Sequence, residues 1–430
     1  MSPNRNPASR LALLGLVMLV LLFAGEPATF AGVGPDVTVI EIFNIDNNGA
    51  TGAGPTRTRA YSIGTTSCNV GTDPVIWCNS PGGCGLGSGS EDHPVIAGNL
   101  YRLKSGRFQQ IGMSWLKHGF LSTNSFDSGC GSCTTPPLGG DQLGVGCTDT
   151  YDAFLNGSRP LGKRSEVNAS TGIFPYPYTQ VSPSTVVDQR VKVLESDVDP
   201  VQNAGARYFA EGQYIAADDA AAGNGLNNAS YQEVEVSGAS FNLFQTGAVV
   251  REQPAIAVWQ TIDAAVETAN ADVSGAIVER FHVARKVTDL GGGTWHYEYA
   301  VHNMNSDRAG QSLTITFPSA TTFTNVGFSA ANHHSGEAYS TAAWTSSTAA
   351  NSISWASETF ATNANANALR FATMFNFWFD ANQGPLSLTH SLGLFKPGSP
   401  SSVAFSFGPA LIFGDSFEVG DTSAWTLTQP

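Results

Sequence analysis

The chain has 430 residues, a formal net charge of −14 and only 13% charged residues, with 46 glycines. An isoelectric point near 4.9 argues against nucleic acid as a partner, because a phosphate backbone demands a basic face. The length suggests two domains with ample material for a core, and the composition is that of a secreted β protein rich in turns.

Residues 1–31 are set apart from the fold. Arg5 and Arg10 precede an apolar run from Leu11 to Ala24 that is too short for a membrane span and reads as a signal peptide, with cleavage after Ala31. No later apolar stretch is long enough to cross a membrane, so a secreted or cell-surface protein without a membrane span is expected. From Val37 to Leu116 short apolar stretches alternate with turn clusters, and Asn99–Phe120 reads as a strand, a turn at Lys104-Ser-Gly, and a longer strand through Trp115. Leu121 to Val186 is rich in Gly, Pro, Ser and Cys, which predicts long loops pinned by disulfides. The six cysteines, Cys68, Cys78, Cys84, Cys130, Cys133 and Cys147, all fall between residues 68 and 147. An even count in an exported chain implies disulfides, but the spacing does not select a pairing. A zinc site on Cys130 and Cys133 is the rival, and no second close pair has the spacing of a structural zinc site.

Strand-like segments return at Arg207–Ile215 and Tyr231–Val236, separated by a loop over 216–230, and complete a β-rich first domain at 32–250. A second domain at 251–410 begins with a short helix expected at Asp263–Asn270. The hairpin Val278–Asn303 follows, closed by Gly291, Gly292 and Gly293. Its apolar parity, Phe281, Val283 and Val287 against Tyr297, Tyr299 and Val301, predicts Val287 opposite Tyr297 and Val283 opposite Val301. The same register sets Lys286 opposite Glu298 and His282 opposite His302 on an outer face expected to meet solvent. Further strands are expected at Ser312–Phe317, Leu369–Phe379 and Val403–Phe407. Phe371, Phe375, Phe377 and Phe379 have Met374 and Trp378 on the opposite face, so that strand should be buried on both sides. The fold class is therefore all-β: a disulfide-stapled N-terminal domain and a C-terminal immunoglobulin-like β-sandwich, with a tail at 411–430.

The segments WLKHGF (115–120), NNASY (227–231), WHYEYAVHN (295–303) and NFWFDA (376–381) resemble those of a family of large secreted proteins of uncharacterised function from environmental Gram-negative bacteria. The stretch from Ile412 to Trp425 resembles a short terminal motif of exported proteins. The resemblance implies export and shared architecture, and carries no catalytic residues with it.

Candidate chemistry is sparse. His118, at the end of a long strand and facing the loop layer, is the best general base, with Lys117 as an electrostatic partner and Asp141, Asp149 or Asp152 as orienting carboxylates. His333, His334 and Glu337 lie together in a turn-rich stretch where metal ligands or an acid–base pair could sit. Asp218, Asp219 and Asn224, with Asn227 and Asn228, gather oxygens in a way that suits calcium, and Asn44–Gly49 copies the first half of an EF-hand loop. No phosphate-binding glycine loop, nucleophile elbow or helical HExxH is present. Two functions follow as expectations. The first is an exported binding or interaction protein, calcium-stabilised, contacting polysaccharide or cell-surface components through the Trp115, Tyr176 and Tyr178 region. The second is a secreted hydrolase or lyase acting on a polymer such as a polysaccharide, with His118 as base.

Overall fold

A computed structural model describes residues 32–79, 92–334 and 336–407. The expected signal peptide, Cys84 and the 411–430 tail lie outside the described residues. The protein is all-β. In the N-terminal half, one sheet runs Asn242–Val250, Ala229–Ser237, Arg207–Ile215, Val95–Lys104, Arg107–His118, Val191–Leu194, Thr58–Asn69, Cys147–Tyr151 and Ser125–Phe126, and Val37–Thr51 also pairs with Thr58–Asn69. Alternating residues of these strands, among them Val37, Val39, Tyr61, Ile63, Leu100, Val191 and Tyr214, close a first core. The hairpin at 95–118 turns at Ser105-Gly106, where φ is 51° and 81°. That left-handed pair is what a tight turn between twisted strands needs, and Gly106 adopts it freely.

Disulfides pair Cys68 with Cys130 and Cys133 with Cys147, and Cys78 is also disulfide-bonded. Cys130 and Cys133 therefore each serve a separate bridge, which removes the thiolates that a zinc site would use. The bridges fasten the 121–147 loops to the sheet, as the Gly-, Pro-, Ser- and Cys-rich composition of that stretch led one to expect.

The C-terminal half is a sandwich of two five-stranded sheets. One runs Val266–Val273, Glu279–Gly291, Thr294–Asn303, Thr373–Ala381, Phe323–Ala330, and the other Thr345–Thr348, Ser352–Ala356, Gly310–Thr316, Thr389–Leu394, Ser402–Phe405. Between them Tyr297, Tyr299, Val301, Phe375, Phe377 and Phe379 meet Leu313, Ile315, Ile353, Trp355 and Leu392. The hairpin register is the one expected, with Val287 opposite Tyr297, Val283 opposite Val301, Lys286 opposite Glu298 and His282 opposite His302.

Three expectations are corrected. The outer face of that hairpin is largely covered: Glu298 and His302 are buried, and Lys286 is only part-exposed. It is covered because Ala284, Ala300 and Met374 on this face pack against Tyr101, Phe108, Phe209 and Trp259 in a third core shared by the two halves. The helix lies earlier, at Val258–Ile262, while Val266–Val273 is a strand whose backbone is claimed by pairing with 279–286. Asn44–Gly49 is part of the strand Val37–Thr51, so its side chains point to alternate faces. Asn44 accepts from the Ala153 N–H and Asn47 from the Gly49 N–H, and no half EF-hand forms.

Candidate ligand-binding groove

The 95–118 hairpin lies over the covered face of the sandwich and leaves a groove at the junction, a place where ligand sites commonly form. Its walls follow from strand parity. His296 and Glu298 share a face of the 294–303 strand, and Asp380 and Trp378 are their register partners. Arg107, at the start of the second hairpin strand, is locked between them. Its Nε and Nη2 donate to Glu298 at 2.6 and 2.9 Å, and the guanidinium stacks 3.6 Å from the Trp378 ring. Gly327 makes room for that indole, since a Cβ there would sit 2.0 Å from it. The His296 Nδ1 lies 2.6 Å from Asp380, and its Nε2 lies 3.5 Å from Glu298. Hydrogen bonding to Glu298 and then to Asp380 outweighs burial and pushes the imidazole pKa up.

A depression of ≈ 310 Å³ is lined by Arg102, Lys104, Arg107, Gln109, His296 and Glu298. Gln109 also lines a second, of ≈ 360 Å³, whose walls include Lys192, Asp197, Ser329, Asn332 and His333. Gln109 donates to Ser329 at 2.6 Å and accepts from Arg102 at 3.3 Å. Arg102 in turn donates to Asp197 and Asn203 at 3.0 and 2.9 Å. The floor is thus a chain of hydrogen-bonded side chains in fixed orientations. A separate depression of ≈ 390 Å³, lined by Glu41, Phe43, Asp127, Gln245 and Arg251, holds no histidine. There Arg251 is committed to the carbonyls of Ile40 and Gly129.

The residues expected to carry chemistry are elsewhere and are mostly occupied. His118 is only 4% exposed; its Nδ1 lies 2.8 Å from His93 Nε2, and Tyr178 stacks on it with centroids 3.6 Å apart. Burial, then the neighbouring His93 and Lys117, pushes its pKa down to about 2. A ring so covered and so weakly basic does not present the solvent-facing base that its strand-end position implied. The Lys117 ammonium lies 5.1 Å from the Phe120 ring, and burial lowers its pKa. Asp141 sits in the Gly139–Asp141 turn, where its carbonyl accepts from Trp77, and it makes no hydrogen bond to His118. Asp149 takes the Thr123 N–H and hydroxyl, and Asp152 caps the Ala153–Asn156 helix. Trp115 is in the core, not on a contact surface, while Tyr176 and Tyr178 are half-buried against the histidine pair.

His334 donates from Nε2 to the Arg190 carbonyl, and Glu337 accepts from the Arg164 N–H at 2.7 Å. His333 lies against Tyr339, with centroids 5.3 Å apart. Burial lowers both imidazoles to about 4, and His118 makes no hydrogen bond or ring contact with either. Asp218 accepts from the Ile76 N–H at 2.7 Å; Asp219 accepts from the Val37 N–H at 2.9 Å and from Asn228 at 2.8 Å. Asn224 donates to the carbonyls of Val33 and Pro35. These hydrogen bonds tie the 217–228 segment to Ile76 and to the 32–37 segment. Among the described residues no three His, Cys, Asp or Glu side chains are grouped to hold a metal.

The groove residues Arg102, Lys104, Arg107, Gln109, Lys192 and His296 were not singled out from sequence. The one available signal was parity: His296 and Glu298 on one strand, and Trp378 and Asp380 on another, recur at period two on the face that also carries His282, Lys286 and His302.

No protein-family model matches the chain, and no curated protein does. Among solved structures it is similar to a serine-rich repeat adhesion glycoprotein of Streptococcus agalactiae, at 9% identity and a TM-score of 0.21, over 88% of this chain and 97% of that one. No helix among the described residues is long and apolar enough to cross a membrane.

Proposed function

We propose that this chain is an exported binding protein that holds a strand of polysaccharide in the groove across Gln109. The observation that carries the reading is Gln109, which lines two neighbouring open polar depressions at once. Side chains along these depressions offer both donors and acceptors, the complement of a polyol, and their ion pairs and hydrogen bonds fix them in place before a ligand arrives. The disulfides fit an oxidising compartment, where such bonds form and persist, and a secreted or surface location is where a free polysaccharide would be met.

The test is retention of the full chain in gels that contain a panel of neutral and acidic polysaccharides. Ser329→Trp, which fills the groove beside Gln109 from an edge strand, should abolish retention without lowering the melting temperature. Unchanged retention of this variant, or no retention of the parent by any polysaccharide, would overturn the proposal.

A further inference from the structure

We infer that the polymer held in this groove is polyanionic: a polysaccharide bearing carboxylate or sulfate groups. The inference rests on the groove reading above and adds the ligand's charge. The chain as a whole carries 35 acidic against 21 basic side chains, yet the groove reverses that balance. Its lining holds four cations, Arg102, Lys104, Arg107 and Lys192, against two carboxylates, Asp197 and Glu298, a local balance of 4 − 2 = +2. A positive track on a −14 molecule focuses field toward an anionic ligand while the rest of the surface repels it.

The two carboxylates are already used. Asp197 pairs with Arg102 at 3.0 Å and Glu298 with Arg107 at 2.6 Å, so they orient the guanidiniums and leave the two lysines unneutralised. Lys104 is held by neutral acceptors only, the Gln202 carbonyl and the Asn203 side chain, both at 2.9 Å. Lys192 makes no ion pair or side-chain hydrogen bond among the described residues. His296 adds positive charge at mildly acidic pH, because its carboxylate neighbours raise its pKa.

The placement of the lysines speaks for a polymer. Lys104 is in register with Arg107, and Lys192 with Met113, six positions along one strand, or about 20 Å. One small anion cannot reach both ends; a chain with repeating charges can. No Phe, Tyr or Trp side chain lines either depression, and the Trp378 ring is stacked against Arg107, so the groove lacks the open stacking platforms by which single-stranded nucleic acid is held. Ionic and hydrogen-bond recognition of an acidic saccharide is what remains.

The test measures the affinity of the full chain for polygalacturonate, dextran sulfate, neutral dextran and single-stranded polyuridylate, at low and high salt. At least one acidic polysaccharide should bind about tenfold more tightly than neutral dextran, and the preference should shrink at high salt as exposed charges are screened. The double variant Lys104→Glu with Lys192→Glu should lose that preference at an unchanged melting temperature, while Lys163→Glu, outside the groove, should keep it. Equal affinity for neutral and acidic polysaccharides, unaltered in the double variant, would overturn the charge inference and leave the groove reading standing. Tightest binding to polyuridylate would overturn it in favour of nucleic acid. Absence of binding to every polysaccharide would overturn both.

Discussion

Replacing His118 by Asn tests whether this ring is sealed from solvent. Asn keeps a hydrogen-bond partner for His93 Nε2, which now lies 2.8 Å from the imidazole, and removes a titrating group. In the folded protein the His118 pKa is pushed down to about 2 by burial and then by the neighbouring His93 and Lys117, whereas in the unfolded chain it is about 6.5. A base with a depressed folded pKa contributes stability that is complete above the unfolded value and is lost as pH falls below it. Each pH unit below about 6.5 costs about 1.4 kcal/mol, so at about pH 5 the wild type bears a penalty of roughly 2 kcal/mol that the variant lacks. Loss of the Tyr178 stack destabilises the variant at every pH, and that constant offset cancels when two pH values are compared. Urea unfolding of both proteins at about pH 8 and about pH 5 gives the free energies. The deficit of the variant should shrink by about 2 kcal/mol at the lower pH. A deficit equal at both pH values would mean that His118 titrates alike in both states, which would refute its burial and reopen it as a base.

Gly327→Ala places a Cβ 2.0 Å from the Trp378 ring, and overpacking of this kind costs about 1–3 kcal/mol. A lower urea midpoint with altered tryptophan fluorescence is expected, and an unchanged midpoint would argue against the Arg107–Trp378 stack. The two described disulfides close loops of different length, with sequence separations of 62 for Cys68–Cys130 and 14 for Cys133–Cys147. In the chain-entropy account, double alanine replacement should cost about 4 kcal/mol for the first and about 3 kcal/mol for the second, and the opposite order in urea midpoints would refute loop length as the determinant.

Much of the fold could be read from period-two alternation. The 278–303 hairpin announced its register because Phe281, Val283, Tyr297, Tyr299 and Val301 have one parity and glycines mark the turn between them. Phe375, Phe377 and Phe379 with Met374 opposite correctly implied a strand covered on both faces. Pattern failed where one residue type serves two environments. Ala284 and Ala300 are small enough to sit on a solvated face or under a packed layer, so the cover that Phe108 and Phe209 provide was invisible. Asp263–Asn270 carries Ala and Glu, which favour helix, yet Val266 and Val273 are wanted by the sheet core and tertiary pairing prevailed. The groove was illegible for a different reason. Its cations come from 102–107 and 192, its acids from 197 and 298, and only the crossing of a hairpin over a distant sheet brings them together. His118, Asp218 and His334 drew notice because their residue types are reactive, and the fold uses all three as hydrogen-bonding partners in its interior.

The layer where Ala284, Ala300 and Met374 meet Tyr101, Phe108 and Phe209 has an evolutionary consequence. A sandwich whose second face is apolar is not a portable module: spliced onto another partner, it would show that face to water and invite aggregation. Recombination near residue 250 is therefore disfavoured, and descendants of this gene should inherit the two halves together. The groove, which exists only at their seam, would be inherited as a joint property of both.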